Sequence, residues 1–349
     1  MNSSEVLSCG LPFDRPNKVL LAHGGGGRLT QQLLQGVIRK HFKSSFLATE
    51  HDAAVVPEVE GAIAFTTDTY VIRPLFFPGG DIGKLAVFGT VNDLAMAGAR
   101  PLYLSVGMIL EEGFSIESLE RIVSSIQQAA VECGVQVVTG DTKVVERGKG
   151  DGIFINTAGL GVVRHGLRIQ PGSVQEGDAI IVSGDLGRHG IAVMAVREGL
   201  EFETSLESDC APLASMVLDL IESGIELHCL RDLTRGGLAS ALNEIASSAQ
   251  CAMVIEDDQV LVQAEVRGVC EMLGLDPLYI ANEGRMIAFV PGDQALRTVE
   301  IMRRHQVGAE ASWIGKVLKE PVGRVSVKSR IGISRILDLL SGEQLPRIC

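Results

Sequence analysis

FTTDTYVIRPLFFPGGDIGKLAVFGTVNDLAMAGA, residues 65–99, holds the strand-then-helix step from which the rest of the chain is read. Ala62–Thr67 reads as a strand ending at Asp68, and Gly83–Ala97 as a helix stopped by Gly98 and Pro101. Leu102–Leu110 follows as a second strand. The clearest helix is Ile116–Cys133. Its apolar positions Ile116, Leu119, Ile122, Val123, Ile126 and Ala130 recur at helical spacing, Ser115 can cap it and Gly134 ends it. Val135–Thr139 is a strand running into Gly140-Asp141, and Ile153–Val163 is another.

Upstream, Gly24-Gly25-Gly26-Gly27 leads into a helix over Leu29–Ile38. Downstream, QPGSVQEG at 170–177 marks a boundary before a fresh strand, Ala179–Val182. The second block repeats the alternation, with helices at Ile191–Arg197, Leu213–Ile221, Leu238–Ser248, Glu265–Leu273 and Ala295–Arg304. Its strands are Ala252–Glu256, Met286–Val290, Trp313–Val317 and Arg324–Val327. The pattern is α/β (α+β) with two domains, 46–170 and 171–328. Residues 1–45 form an extension and glycine-rich segment, and 329–349 a tail ending in Cys349.

A length of 349 residues suits two such domains, and 46% hydrophobic with 21% charged residues excludes a disordered chain. Acidic residues outnumber basic ones, 43 to 31, giving a net charge of −12. That argues against unspecific binding to nucleic acid or an anionic membrane. A nucleotide site stays open, since a glycine loop and a metal can hold phosphates on an acidic protein. No apolar run of transmembrane length occurs, and Met1–Asn17 lacks the pattern of a secretory signal. Seven scattered cysteines (Cys9, Cys133, Cys210, Cys229, Cys251, Cys270, Cys349) without a CxxC pair exclude a disulfide framework and a zinc finger. They point to a cytoplasmic protein.

The candidate chemistry is spread along the chain. His23 and Gly24 to Gly27, before a helix, offer backbone N–H groups to a phosphate, although four glycines also make a flexible turn. Asp68, Asp93 and Asp141 each adjoin a Thr or Asn. Hard oxygen ligands suit Mg²⁺, while capping and turn closure are the structural alternatives. Asp93 is the least ordinary, because a carboxylate in a mostly apolar helix needs a partner. Lys143 is either a phosphate or acid–base group or an exposed loop lysine. Glu283, in Asn282-Glu283-Gly284, is either a general base or a turn carboxylate. RDLTRGG (231–237) opens a helix with capping residues and two arginines. Cys349, beside Pro346 and Arg347, is either an accident of position or a thiol that carries a group between sites.

Taken together, LAHGGGGRLTQQLL (20–34), residues 65–99, VVTGDTKVV (137–145), RDLTRGGL (231–238), ANEG (281–284) and PRIC (346–349) are similar to the HypE family of hydrogenase maturation proteins. That family consists of carbamoyl dehydratases of the AIR synthase-like (PurM-like) superfamily. The likeness implies two AIR synthase-like domains, the N-terminal sheet pairing across a homodimer, and a flexible C-terminal tail. It implies ATP and Mg²⁺, with Asp68, Asp93 and Asp141 as metal ligands. It puts His23, Gly24, Gly25, Gly26, Gly27, Asn92, Thr142, Asp232 and Arg235 on the nucleotide. It has Lys143 and Glu283 facing a modified Cys349.

The implied activity is ATP-dependent dehydration of an S-carboxamide on Cys349 to a thiocyanate. A HypF-type carbamoyltransferase would supply the carboxamide, and a HypC–HypD-type iron-carrying complex would receive the cyanide. Rival readings are a sister ATP enzyme acting on a free small molecule, or a metallochaperone. The seven histidines lack the paired spacing a metallochaperone needs. Residues 1–17 are an extension that the motifs leave unexplained.

Overall fold

Two mixed sheets organise the protein, a computed structural model that describes residues 17–42, 44–49, 52–199 and 206–339. Cys9 and Cys349 lie outside the described residues. In chain order the first half holds α1 (Arg28–Leu33), α2 (Arg39–His41), α3 (Ser45–Ala48), β1 (Ala62–Tyr70), β2 (Phe76–Phe77), β3 (Gly80–Asp81), α4 (Ile82–Met96), β4 (Arg100–Glu111), α5 (Ile116–Glu132), β5 (Gln136–Val145) and β6 (Ile153–Val163). The second half holds β7 (Ala179–Val182), α6 (Arg188–Glu198), α7 (Ala214–Glu222), β8 (Cys229–Asp232), α8 (Gly237–Ala249), β9 (Ala252–Glu256), α9 (Ala264–Leu273), β10 (Met286–Val290), α10 (Ala295–Met302), β11 (Ser312–Leu318), β12 (Val325–Lys328) and β13 (Ser334–Ile336).

The first sheet runs β1-β6-β4-β5, and only its β4–β5 pair is parallel. Alternate residues of these strands face α4 and α5: Tyr70, Leu104, Val106, Met108, Leu110, Ile153 and Ile155 are buried. The other face is open. Phe65 is 72% exposed, Ile63 54% and Ile109 42%. α5 packs through Leu119, Ile122, Val123 and Ile126, and Ser115 caps it by accepting from the Ser118 N–H. α4 is buried nearly all round because it is covered twice, by the first sheet and by α7 and β8 of the second half. Asp81 starts it by accepting from Gly83 N–H and Lys84 N–H.

The second sheet runs β13-β12-β9-β11-β7-β10-β8. Ala179, Ile181, Ala288 and Val290 pack towards α7, α10 and the core continuous with α4, while Ile180, Val182, Ile287 and Phe289 pack towards α8. Burial on both faces explains why AIIV and MIAFV are wholly apolar.

Several expected boundaries shift. β1 runs past Asp68 to Tyr70 and β5 past Thr139 to Val145, so Asp68, Asp141, Thr142 and Lys143 lie inside strands and not at strand ends. The ladder carries them: Asp68 pairs with Thr157, and Asp141 with Gly107. The stretch read as one helix over 29–38 is α1 followed by a π turn, Leu34–Ile38. RDLTRGG does not open a helix directly. Its Arg231-Asp232 end β8, and α8 starts only at Gly237 with Gly236 as its cap, both at positive φ. The chain from Ser329, read as the start of the tail, still folds as far as it is described. β13 pairs with β12, and Leu337 is fully buried.

Candidate functional site

α4 and β1 meet edge-on through polar groups. Even-numbered β1 side chains face the helix, so Thr66, Asp68 and Tyr70 share that side. Thr66 Oγ1 donates to Asp93 Oδ2 at 3.0 Å, which supplies the partner that a carboxylate in an apolar helix requires. Asp68 Oδ1 accepts from the Thr69 N–H at 2.7 Å, and Asn156 Nδ2 donates to the Asp68 carbonyl.

One residue before Asp93, Asn92 reaches into the second half of the chain. Its Nδ2 donates to the Ala211 carbonyl at 3.1 Å and the Glu283 carbonyl at 3.4 Å, and its Oδ1 accepts from Leu213 N–H at 2.8 Å. Glu283 is 4% exposed, and its Oε1 is buried without a hydrogen-bond partner among the described residues. Asp209 lies beside it, accepting from the Glu283 and Gly284 N–H groups at 3.2 and 3.3 Å. Asp232 sits at the end of β8.

These carboxylates feel one another. Burial raises the Asp93 pKa, the Thr66 hydrogen bond opposes the rise, and the charge of Asp68 adds to it. Burial and then the Asp93 charge push Asp232 up to about 7. Burial, followed by the charges of Asp232, Asp209, Asp68 and Asp93, pushes Glu283 well above the carboxylate range. Crowded acids of this kind are relieved by a cation. Among the described residues no three His, Cys, Asp or Glu side chains form a ready-made metal cage. Mg²⁺ does not need one, because it takes one or two carboxylates and completes its shell with water and phosphate oxygens. Asp68, Asp93 and Asp232, which offer oxygen alone and influence one another's charge, could each supply such a carboxylate.

The remaining predicted residues form a separate group. Asp141 pairs with Gly107, Gly107 with Asn156 and Asn156 with Thr69, a row on the open face of the sheet. Asp141 is therefore on the opposite face from Asp68 and does not join Asp93. It is exposed, with Lys143 Nζ 2.7 Å from its Oδ2, and the Lys143 hydrogen bond lowers its pKa. The Thr142 N–H also donates to Asp141 Oδ1.

His23 is turned inward. It is 3% exposed, its Nδ1 accepts from the Leu20 N–H at 2.8 Å, and burial lowers its pKa. Gly24 presses on β5, where a Cβ would come 3.0 Å from the Val144 nitrogen. Gly25 to Gly27 are exposed, and Gly26 takes a positive φ. Arg235 is exposed, and Arg231 pairs with Glu244 at 2.6 Å. Asp209 was missed at the level of sequence. Ser208-Asp209-Cys210 matches no motif, and only the tertiary fold brings it to Glu283.

The AIR synthase related protein families match this chain twice, the N-terminal domain over residues 50–163 and the C-terminal domain over 175–328. Carbamoyl dehydratase HypE of Azotobacter vinelandii is 49% identical over 335 residues, covering 96% of this chain and 98% of its own. The crystal structure of hydrogenase maturation protein HypE in complex with ATP has a TM-score of 0.91 at 45% identity, over 95% of this chain and 99% of that one. A HypE–HypF complex has a TM-score of 0.78 at 42% identity, over 90% and 100%. With the two-sheet architecture and this extent of identity, the chain belongs to the HypE family of AIR synthase-related proteins.

Proposed function

We propose that this protein is an ATP-dependent carbamoyl dehydratase that converts an S-carboxamide on Cys349 to a thiocyanate, the source of cyanide for the iron of a [NiFe]-hydrogenase. The observation that carries the reading is identity of 49% to a carbamoyl dehydratase HypE along almost the entire chain. The buried Glu283 with its unspent oxygen supports it from the side of chemistry.

The carboxamide, Cys349–S–C(=O)–NH₂, must lose its oxygen, which is a poor leaving group. The amide oxygen attacks the γ-phosphorus of ATP and ADP leaves. The C–O bond then breaks with phosphate as the leaving group, and the two N–H protons are given up, leaving S–C≡N. Glu283 takes a proton, and a carboxylate of raised pKa is the stronger base once ionised. Lys143 orients the group and balances developing charge. Gly24 to Gly27 and Asn92, Thr142 and Arg235 flank the nucleotide. Within one protomer Asp68, Asp93 and Asp232 would hold Mg²⁺, Asp141 being able to join them only from a second copy, and the ion supplies charge neutralisation on the phosphates when bound.

The same reading makes the chain a homodimer. Ile63, Phe65 and Ile109 give the open sheet face an apolar surface that a second copy would cover. In that pairing the Asp141–Lys143 group of one protomer completes the acid group of the other. A HypF-type carbamoyltransferase loads Cys349, a HypC–HypD-type iron-carrying complex unloads it, and all of this takes place in the cytoplasm. Among the described residues no helix is long and apolar enough to cross a membrane.

The test is the mass of the C-terminal peptide released by cleavage at Glu343, after Cys349 is carbamoylated by the cognate partner or by cyanate. Loss of one water that requires Mg·ATP and fails with a non-hydrolysable analogue is the expected result. Cys349→Ala should abolish the adduct and leave ATP binding intact. A stable adduct on a folded, ATP-binding protein would overturn the reading in favour of a sister enzyme with a free substrate.

A further inference from the structure

The N–H and carbonyl of Glu283 and the N–H of Gly284 are all engaged. Its N–H donates to Asp209 Oδ1 at 3.2 Å, and the next N–H, of Gly284, donates to Asp209 Oδ2 at 3.3 Å. Its carbonyl accepts from the Ala211 N–H at 3.5 Å and from Asn92 Nδ2 at 3.4 Å. Its side-chain Oε1 is buried with no hydrogen-bond partner among the described residues. The Asp209 side chain is fully buried, with Arg285 Nε 4.0 Å behind it. That arginine is held in turn by Asp185, at 2.6 Å, and Asp185 by Arg188, at 2.7 Å. Gly284 allows no slack, since a Cβ there would sit 2.0 Å from the Asp209 carbonyl oxygen.

We propose that Asp209 is the positioning residue for Glu283: its carboxylate grips two consecutive N–H groups, and so fixes the direction in which the Glu283 carboxyl points at the substrate. This rests on the reading of Glu283 as proton acceptor. A carboxylate is the side chain suited to the task. It presents two acceptor oxygens to two parallel donors, whereas the isosteric amide presents one acceptor and sets its NH₂ against a backbone N–H. Displacement of a base by a fraction of an ångström from its reactive geometry costs rate without touching nucleotide affinity.

The experiment measures ATP-driven dehydration of the full-length, carbamoylated protein for wild type, Asp209→Asn, Glu283→Gln and the double variant. Asp209→Asn should fold but unfold at a lower temperature than wild type, since one buried N–H loses its acceptor, keep KM for ATP within about twofold, and lose about ten- to a hundredfold in kcat. On the Glu283→Gln background it should cost nothing further, because a positioning residue has no effect once the group it positions is gone. An unchanged kcat, a loss that adds in full to that of Glu283→Gln, or a KM that rises as kcat falls would overturn the role. If Asp209→Asn does not fold, Asp209→Ser, which is smaller and still accepts one of the two bonds, carries the same measurement. An inactive wild type, or a fully active Glu283→Gln, would remove the proton-acceptor reading and this role together, and is told apart from failure of Asp209 alone by those two rates.

Discussion

At residue scale, the site is a contest between burial and charge. Glu283 has its protonated form favoured by burial and by four neighbouring acids, so its ability to accept a proton depends on what arrives to offset that charge. Glu283→Gln keeps the shape and removes the proposed base. It should leave ATP binding within about twofold, lower dehydration on the order of a hundredfold or more, and let the carboxamide-bearing peptide accumulate in the mass spectrum. Normal nitrile formation by that variant would eliminate it as base. Asp93 and Glu283 were legible in the sequence for different reasons. An aspartate inside Leu85–Met96 contradicts its apolar surroundings and so draws notice. Glu283 stood out only through the ANEG motif, because its burial is a tertiary fact. Asp209 had neither signal.

At the scale of elements, α4 is the joint on which the site hangs, and its glycines matter as spacing. A Cβ on Gly89 would come 2.3 Å from the Tyr70 hydroxyl, so the helix can approach β1 only without a side chain there. Gly89→Ala should destabilise by about 1–3 kcal/mol, seen as a lower urea midpoint, and should reduce activity by pushing Asp93 away from Thr66. An unchanged midpoint would show that β1 and α4 can part at no cost. β6, β7, β9 and β10 match the strands read from sequence, because uninterrupted apolar or alternating runs carry their own boundaries. β1 and β5 were read too short because Asp, Thr and Gly resemble turn residues, whereas here they are ladder residues of a mixed sheet. β8 and β13 are short and part-polar, and only their sheet neighbours make them strands.

At the scale of the whole molecule, the two halves are joined by hydrogen bonds as well as by core. Asn92 ties α4 to the 211–213 segment, and Gln170, in the stretch between the sheets, donates its N–H to the carbonyl of His228. The His228 ring bonds Asp178 at 2.8 Å and Glu226 at 3.3 Å. Burial disfavours its charge, but these two acids outweigh burial and raise its pKa above 6.5. Stability from this group is therefore fully present below the unfolded value and is lost as pH rises through the folded one. The urea midpoint should fall on going from pH 6 to pH 8, and Asp178→Asn should flatten that fall; equal slopes would rule the pair out as its source.

The far end of the fold has a different consequence. Asn243 Nδ2 holds the Leu337 carbonyl at 2.9 Å and the Tyr279 hydroxyl holds the Asp338 carbonyl at 2.7 Å, so the last of these moorings lies 11 residues (349 − 338) before Cys349. Eleven residues span at most about 40 Å, and on the proposed function a thiol confined to that radius would meet an ATP site within reach at an effective concentration on the order of millimolar. On the proposed function, dehydration is then a unimolecular event whose rate is indifferent to how much of the protein the cell makes. Loading and unloading of the same sulfur by separate proteins would stay bimolecular, and it is at those two proposed steps that abundance would control the flow of cyanide.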